Sequence, residues 1–156
     1  MKVTELMTSD VASCKADHTL ACSAQIMWDR DCGCVPIVDD DNRVVGIITD
    51  RDICMAALSQ GRRLDEIPVH ATATKTVVCV ASDATIEEAE VLMKDRQVRR
   101  IPVVDHEGRL QGILSMSDIA RRVERTTARP NGLSGDLIAQ TLAAICEPHR
   151  AQQHAE

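Results

Sequence analysis

The 156-residue chain has no Phe and no Tyr, and its single Trp is Trp28. An aliphatic core follows, and the rings on which single-stranded bases stack are missing. Basic charge is scarce as well: 18 Lys and Arg stand against 24 Asp and Glu, for a net charge of −6. A nucleic-acid partner, which calls for a basic stripe, is therefore not expected, and small molecules or proteins are the expected partners. No run approaches the roughly 20 apolar residues that span a bilayer, and MKVTELMTSD lacks the apolar region of a secretion signal. The expectation is a cytoplasmic protein with no membrane partner. Glycine-rich phosphate loops, His-Glu-x-x-His and a nucleophile with a recognisable base are also missing. Neither catalytic residues nor a required cofactor is expected.

What is present is a composition of 44% hydrophobic and 27% charged residues, which is globular rather than disordered. The length suits one domain or two small ones. Sliding the chain by 66 residues aligns Val11 to Ile53 with Val77 to Ile119 without a gap. Identical pairs include Asp17/Asp83, Thr19/Thr85, Met27/Met93, Pro36/Pro102, Asp39/Asp105, Arg43/Arg109, Gly46/Gly112 and Asp52/Asp118. The chain divides into repeat one at 1–60, a linker at 61–74, repeat two at 75–125, and a C-terminal helix and tail at 126–156.

Each repeat reads as β-α-β-β-α, a mixed α/β (α+β) unit. A short strand (Val11 to Cys14; Thr76 to Val80) leads to Asp17 or Asp83, either of which can cap the next helix. That helix carries Leu20, Ala24, Met27 and Trp28 in one copy and Ile86, Ala89, Glu90 and Met93 in the other. Apart from Glu90, the spacing is that of a core-facing stripe. A hairpin follows, CVPIVD with RVVGIIT and then IPVVD with RLQGILS, and a second helix begins at Asp50 or Ser117. Beyond the repeats, Arg129 to Gly132 is a breaker, and a last helix spans about Ser134 to Cys146 ahead of a polar tail.

The duplicated motifs Val35-Pro36-Ile37-Val38-Asp39 with Gly46-Ile47-Ile48-Thr49-Asp50-Arg51-Asp52-Ile53, and Ile101-Pro102-Val103-Val104-Asp105 with Gly112-Ile113-Leu114-Ser115-Met116-Ser117-Asp118-Ile119, resemble the CBS domain. The resemblance covers residues 3 to 123. It implies tandem units packed about a pseudo-twofold axis with two equivalent clefts, an adenine nucleotide or other adenosyl ligand as regulatory partner, and a homodimer. With no effector domain attached, output would act in trans on an unknown protein target.

A ribose has two vicinal hydroxyls, and an ionised carboxylate accepts from both, so Asp52 and Asp118 are the ribose candidates. Thr49 and Ser115 stand three positions earlier, where a strand meets a helix whose N-terminus attracts phosphate. Ser117 adds a donor in the second site, where the first copy has Arg51. Val35, Pro36, Ile101 and Pro102 are the expected aliphatic walls for the base, with strand edges near Ala12 and Val78. Arg99 and Arg100 replace Gly33 and Cys34 of the first copy, so the clefts differ. The one using Asp118 with Arg99 is expected to favour a phosphorylated ligand.

Plainer readings stand beside these. Asp52 and Asp118 could serve only as helix caps, the prolines as strand starts, and the arginines as solvated charge. The seven cysteines include the soft-ligand spacings Cys14-x3-His18-x3-Cys22, Cys32-x-Cys34 and Cys146-x2-His149, but no paired Cys-x2-Cys framework. Free thiols acting as small hydrophobes are the expectation, with no metal. The alternative is a thiol- or zinc-dependent stress-response protein with vestigial nucleotide clefts.

Overall fold

The hydroxyls of Thr49 and Thr85 close two of the helix starts in the computed structural model, which describes residues 1–126 and 135–146. Thr49 accepts from the Asp52 N–H at 3.2 Å while Asp52 accepts from the Thr49 N–H at 2.9 Å, closing a capping box on α2 (Asp50–Gln60). Thr85 and Glu88 do the same for α3 (Ile86–Arg96). Thr19, not Asp17, occupies the cap position of α1 (Leu20–Asp29), and Thr85 takes the role expected of Asp83. At α1 the backbone is satisfied from elsewhere: the Leu20 N–H donates to the Ile67 carbonyl at 2.9 Å.

Two sheets form. In the first, β1 (Cys34–Val38) pairs antiparallel with β2 (Val44–Thr49). In the second, β3 (Val80–Ala81) lies parallel to β4 (Arg100–Val104), which pairs antiparallel with β5 (Leu110–Ser115). Both hairpins carry a register shift at the same repeat position, Ile37/Val38 and Val103/Val104. The strand expected at Val11 to Cys14 reduces to one parallel bridge, Cys14 to Ile37, and the strand expected at Thr76 to Val80 keeps only its end. The reason is that Val11, Ala12, Val77 and Val78 leave the sheets to line clefts.

The two units meet about a pseudo-twofold axis. Arg43 bridges Arg109, its own repeat mate, flanked by the Val44 N–H on the Gly108 carbonyl and the Leu110 N–H on the Asn42 carbonyl. Two further bridges, Thr8 to Ile113 and Thr74 to Ile47, are copies of each other under the 66-residue shift.

Each unit has its own aliphatic core. Leu20, Val35, Ile37, Ile48, Ile67 and Val69 fill the first; Val3, Ile86, Met93, Ile101, Leu114 and Ile119 fill the second. Each such side chain contributes roughly 1.5–3 kcal/mol by leaving water. Val3 comes from the start of the chain yet packs in the second core, and Ile67 and Val69 come from the segment read as a linker yet pack in the first. Trp28 is 83% exposed, so the core stripe of α1 runs through Leu20 and Met27 and leaves Trp28 outside. Glu90 is 2% exposed, and neither carboxylate oxygen has a partner among the described residues.

After β5, α4 (Met116–Thr126) leads toward α5 (Gly135–Cys146), which packs on α3 and α4 and buries Ile138 and Thr141. The breaker at Arg129 to Gly132 and the polar tail from Pro148 lie outside the described residues. No described helix is long and apolar enough to cross a membrane.

Candidate functional site

Two clefts flank the axis, of about 310 Å³ and about 490 Å³. Both fall within the range of small-molecule sites. Each is built from both units. In the first cleft, Thr49 and Asp52 of unit one face Val78, Arg99, Arg100 and Pro102 of unit two. In the second, Ser115, Ser117 and Asp118 face Ala12, Arg30 and Cys32 of unit one. Cys34 and Arg100, which are repeat mates, line both.

The junctions of β2 with α2 and of β5 with α4 place the two aspartates. Asp52 Oδ2 accepts from the Thr49 N–H at 2.9 Å and its hydroxyl at 2.7 Å. Asp118 Oδ2 accepts from the Ser115 N–H at 2.9 Å and its hydroxyl at 2.6 Å. One oxygen of each carboxylate therefore closes a helix, as the plainer reading holds, and the other decides what remains for a ligand. Asp52 Oδ1 has no partner among the described residues, whereas Asp118 Oδ1 accepts from Arg121. The repeat mate of Arg121 is Met55, which explains the difference.

Charge divides the clefts in the same sense. The first has two arginines, Arg99 and Arg100, against Asp52. The second has Arg30, Arg100 and Arg121 against Asp10, Asp31 and Asp118, and Arg30 is already paired with Asp10 at 2.7 Å. Arg99 thus shares its cleft with Asp52, not with Asp118 as the sequence suggested. The crossover about the axis sends Arg99 to the opposite unit's aspartate, while Arg100 lines both clefts. Net positive charge sits in the first cleft. Gly33 lies under the Arg100 guanidinium, where an added Cβ would come within 3.3 Å of it and 3.2 Å of Asp50.

Of the expected aliphatic walls, Pro102 lines the first cleft. Val35 and Ile101 are core residues, 1% and 0% exposed, and Pro36 is buried in β1 with its carbonyl accepting from the Cys14 N–H. Alternation along a strand explains this: Val35 and Ile101 point to the cores. Ile47, Thr74, Thr76 and Val98 of the first cleft, and Thr8, Val11 and Arg121 of the second, escaped the sequence reading. Arg121 was within reach, since a residue three positions after an aspartate on a helix lies beside it. Ala12 and Val78 line the second and first clefts, and neither has a backbone hydrogen-bond partner among the described residues.

Apart from the clefts, Cys14, His18 and Cys22 come together with their ligand atoms all within 4.8 Å of one another. Burial pushes the Cys14 thiol up to about 11, and the Cys34 thiol likewise to about 11 against the opposing pull of Arg100. The Cys79 thiol is also raised by burial.

The CBS domain family model matches residues 3–59 and 66–125. Hypoxic response protein 1 of Mycobacterium tuberculosis is 36% identical over 145 residues, covering 92% of this chain and 93% of that protein. A crystal structure of that response protein with two coordinated zinc ions superposes with a TM-score of 0.71 at 35% identity, covering 78% of this chain and 98% of that one. The CBS domain pair of protein MJ0100, solved with 5-methylthioadenosine and S-adenosyl-L-methionine, gives a TM-score of 0.70 at 26% identity, covering 78% of this chain and 94% of that one. Two motif copies, two hairpins with matching bulges, and a twofold that pairs Arg43 with Arg109 are the structural counterpart of these likenesses. The chain belongs to the CBS domain family.

Proposed function

We propose that the protein is a regulatory module, not an enzyme, which binds an adenosine-containing ligand and passes its occupancy to a partner protein. The observation that carries this reading is the first cleft's combination of Asp52 Oδ1, which has no partner among the described residues, with Arg99 and Arg100. Asp52 would accept from the ribose hydroxyls and the arginines would hold a phosphate. Val78 offers its backbone N–H and C=O to the edge of the base, and Pro102 a flat aliphatic wall. The adenosyl ligands bound by the MJ0100 pair support the ligand class. A nucleoside monophosphate suits the first cleft best, because its charge is where the free arginines are. The second cleft, with Asp118 held by Arg121, favours a ligand of less negative charge.

Retained carboxylates and arginines argue against vestigial clefts. Comparing AMP with 2′-deoxy-AMP in equilibrium dialysis tests the ribose assignment. A hydrogen bond to a charged acceptor contributes about 1.5–3 kcal/mol, so the deoxy ligand is expected to bind about tenfold or more weakly. Equal affinity overturns the role given to Asp52.

A second copy of the chain is the proposed assembly partner. Trp28 on α1 and Met55 and Leu58 on α2 are 83%, 51% and 75% exposed, and the two helices pack side by side. Their repeat mates are Lys94, Arg121 and Glu124, so the apolar patch belongs to unit one only. Light scattering should give a dimer whose mass falls toward that of one chain on Leu58→Glu; a monomeric parent contradicts this arrangement.

A further inference from the structure

We infer that Cys14, His18 and Cys22 form a zinc site on unit one, a site that touches neither cleft and does not depend on nucleotide binding. The argument is geometric. Cys14 Sγ lies 3.8 Å from Cys22 Sγ, and Cys22 Sγ lies 3.7 Å from His18 Nδ1. Tetrahedral zinc with Zn–S of about 2.3 Å and Zn–N of about 2.0–2.1 Å requires S···S edges of about 3.8 Å and S···N edges of about 3.6 Å. Two of the three edges already have those lengths. The third lies within 4.8 Å and closes by rotation of His18, whose ring is exposed. The Lys15 N–H donates to His18 Nδ1 at 3.3 Å, so this nitrogen carries the ring's lone pair, and the metal would take the place of that N–H.

The three ligands are held by different elements, so the site is largely built before any metal arrives. Cys14 is pinned to β1 by its N–H on the Pro36 carbonyl at 3.0 Å and its carbonyl under the Val38 N–H at 2.9 Å. Cys22 sits in the first turn of α1, and the His18 carbonyl is fixed by the Val69 N–H at 2.7 Å. The Ser23 hydroxyl donates to Cys14 Sγ at 3.3 Å, the kind of outer contact that steadies a metal-bound thiolate. Burial grades from Cys14, which is buried, to His18, which is exposed, leaving the fourth position open to solvent. The twofold does not explain the cluster: the repeat mates are Val80, Ala84 and Glu88, so unit two retains none of the three ligands. Two thiols and an imidazole are a soft, tetrahedral set, which selects zinc over magnesium or calcium.

Cobalt(II), as a spectroscopic stand-in for zinc, tests the assignment on the reduced, chelator-stripped full chain. One equivalent should give thiolate-to-cobalt charge transfer and the intense visible bands of a tetrahedral ion, and zinc should bleach them. His18→Ala and Cys22→Ser should each weaken cobalt affinity by about a hundredfold or more. Cys54→Ser, an exposed cysteine elsewhere, should leave it unchanged. In the parent, zinc should also protect Cys22 from alkylation, a readout that needs no variant. An octahedral spectrum, equal affinity in His18→Ala and Cys22→Ser, or a Cys14–Cys22 disulfide whose reduction restores no cobalt uptake would each overturn the site.

Discussion

Asp52 and Asp118 are the same residue in two copies, yet their surroundings give them different work. Both close a helix with Oδ2, but only Asp118 has its Oδ1 held, by Arg121. Releasing that oxygen is therefore expected to make the second cleft more like the first: Arg121→Met, which copies Met55, should strengthen binding of an uncharged adenosyl ligand there. Titration of the Asp52→Ala background with adenosine reads this without interference from the first cleft, and no gain would contradict the assignment. Glu90 presents the opposite case, a buried carboxyl away from both clefts with no partner among the described residues. Desolvation, with Glu87 adding to it, raises its pKa above the ordinary 4.5. A raised acid favours the protonated fold, so stability is greatest below that ordinary value and falls as pH climbs through the folded value. Glu90→Gln should raise the unfolding midpoint at neutral pH by about 2–4 °C, equivalent to about 1 kcal/mol, with the gap narrowing toward pH 4. A lower midpoint at neutral pH would show that Glu90 has a stabilising partner.

At the scale of elements, the glycines of the two hairpins separate a tolerant copy from an intolerant one. A Cβ on Gly46 would meet Ile37 and the Thr74 carbonyl at 3.3–3.4 Å, which small shifts absorb. On Gly112 it would lie 2.7 Å from the Thr8 carbonyl and 2.6 Å from Met7. Gly112→Ala should cost about 1–3 kcal/mol and loosen residues 1–8, seen as faster amide exchange at Val3 and Thr8, while Gly46→Ala should cost less. Equal losses would contradict the packing of the N-terminal segment on β5.

How much could be read beforehand follows from the same elements. The hairpins and helices were legible because a 66-residue repeat with Pro and Gly punctuation marks their limits twice. The pre-helix strands were misjudged because Val11 to Cys14 and Thr76 to Val80 are apolar for a reason other than sheet pairing: most of these residues wall a cleft. Thr85 takes the cap because its hydroxyl accepts from the Glu88 N–H three residues on, whereas Thr19 makes no side-chain cap bond and α1 starts where the Leu20 N–H reaches the Ile67 carbonyl. Asp52 and Asp118 were legible as carboxylates at helix starts. That Arg99 joins Asp52 was not, since the crossover of units about the axis is a tertiary fact. Cys14, His18 and Cys22 were visible as a spacing, but only the bridge of Cys14 to Ile37 turns the spacing into a cluster.

On the scale of the whole molecule, the two units are interlocked, not strung in series. Val3 fills the core of unit two, and Ile67 and Val69 fill that of unit one, so both cores draw on residues from outside their own hairpin and helices. Deleting residues 1–8 should therefore destabilise the second unit, with loss of Val3 alone worth roughly 1.5–3 kcal/mol, and should open the second cleft by removing Thr8. A chain lacking those residues with an unchanged midpoint would contradict the exchange. Because each cleft takes walls from both units, a ligand bound there would be sensitive to how the units sit on each other, and the interface about Arg43 and Arg109 is where occupancy would be felt.

The central claim is that the first cleft holds an adenosine monophosphate between Asp52 and the two arginines of unit two. Calorimetric titration of AMP into the parent chain and into Asp52→Asn tests it most directly, because Asn keeps an acceptor for the Thr49 cap while losing the carboxylate. The account predicts measurable binding to the parent and a loss of about tenfold or more in the variant, with the unfolding midpoint little changed. No heat in the parent, or the same affinity in both proteins, would contradict it.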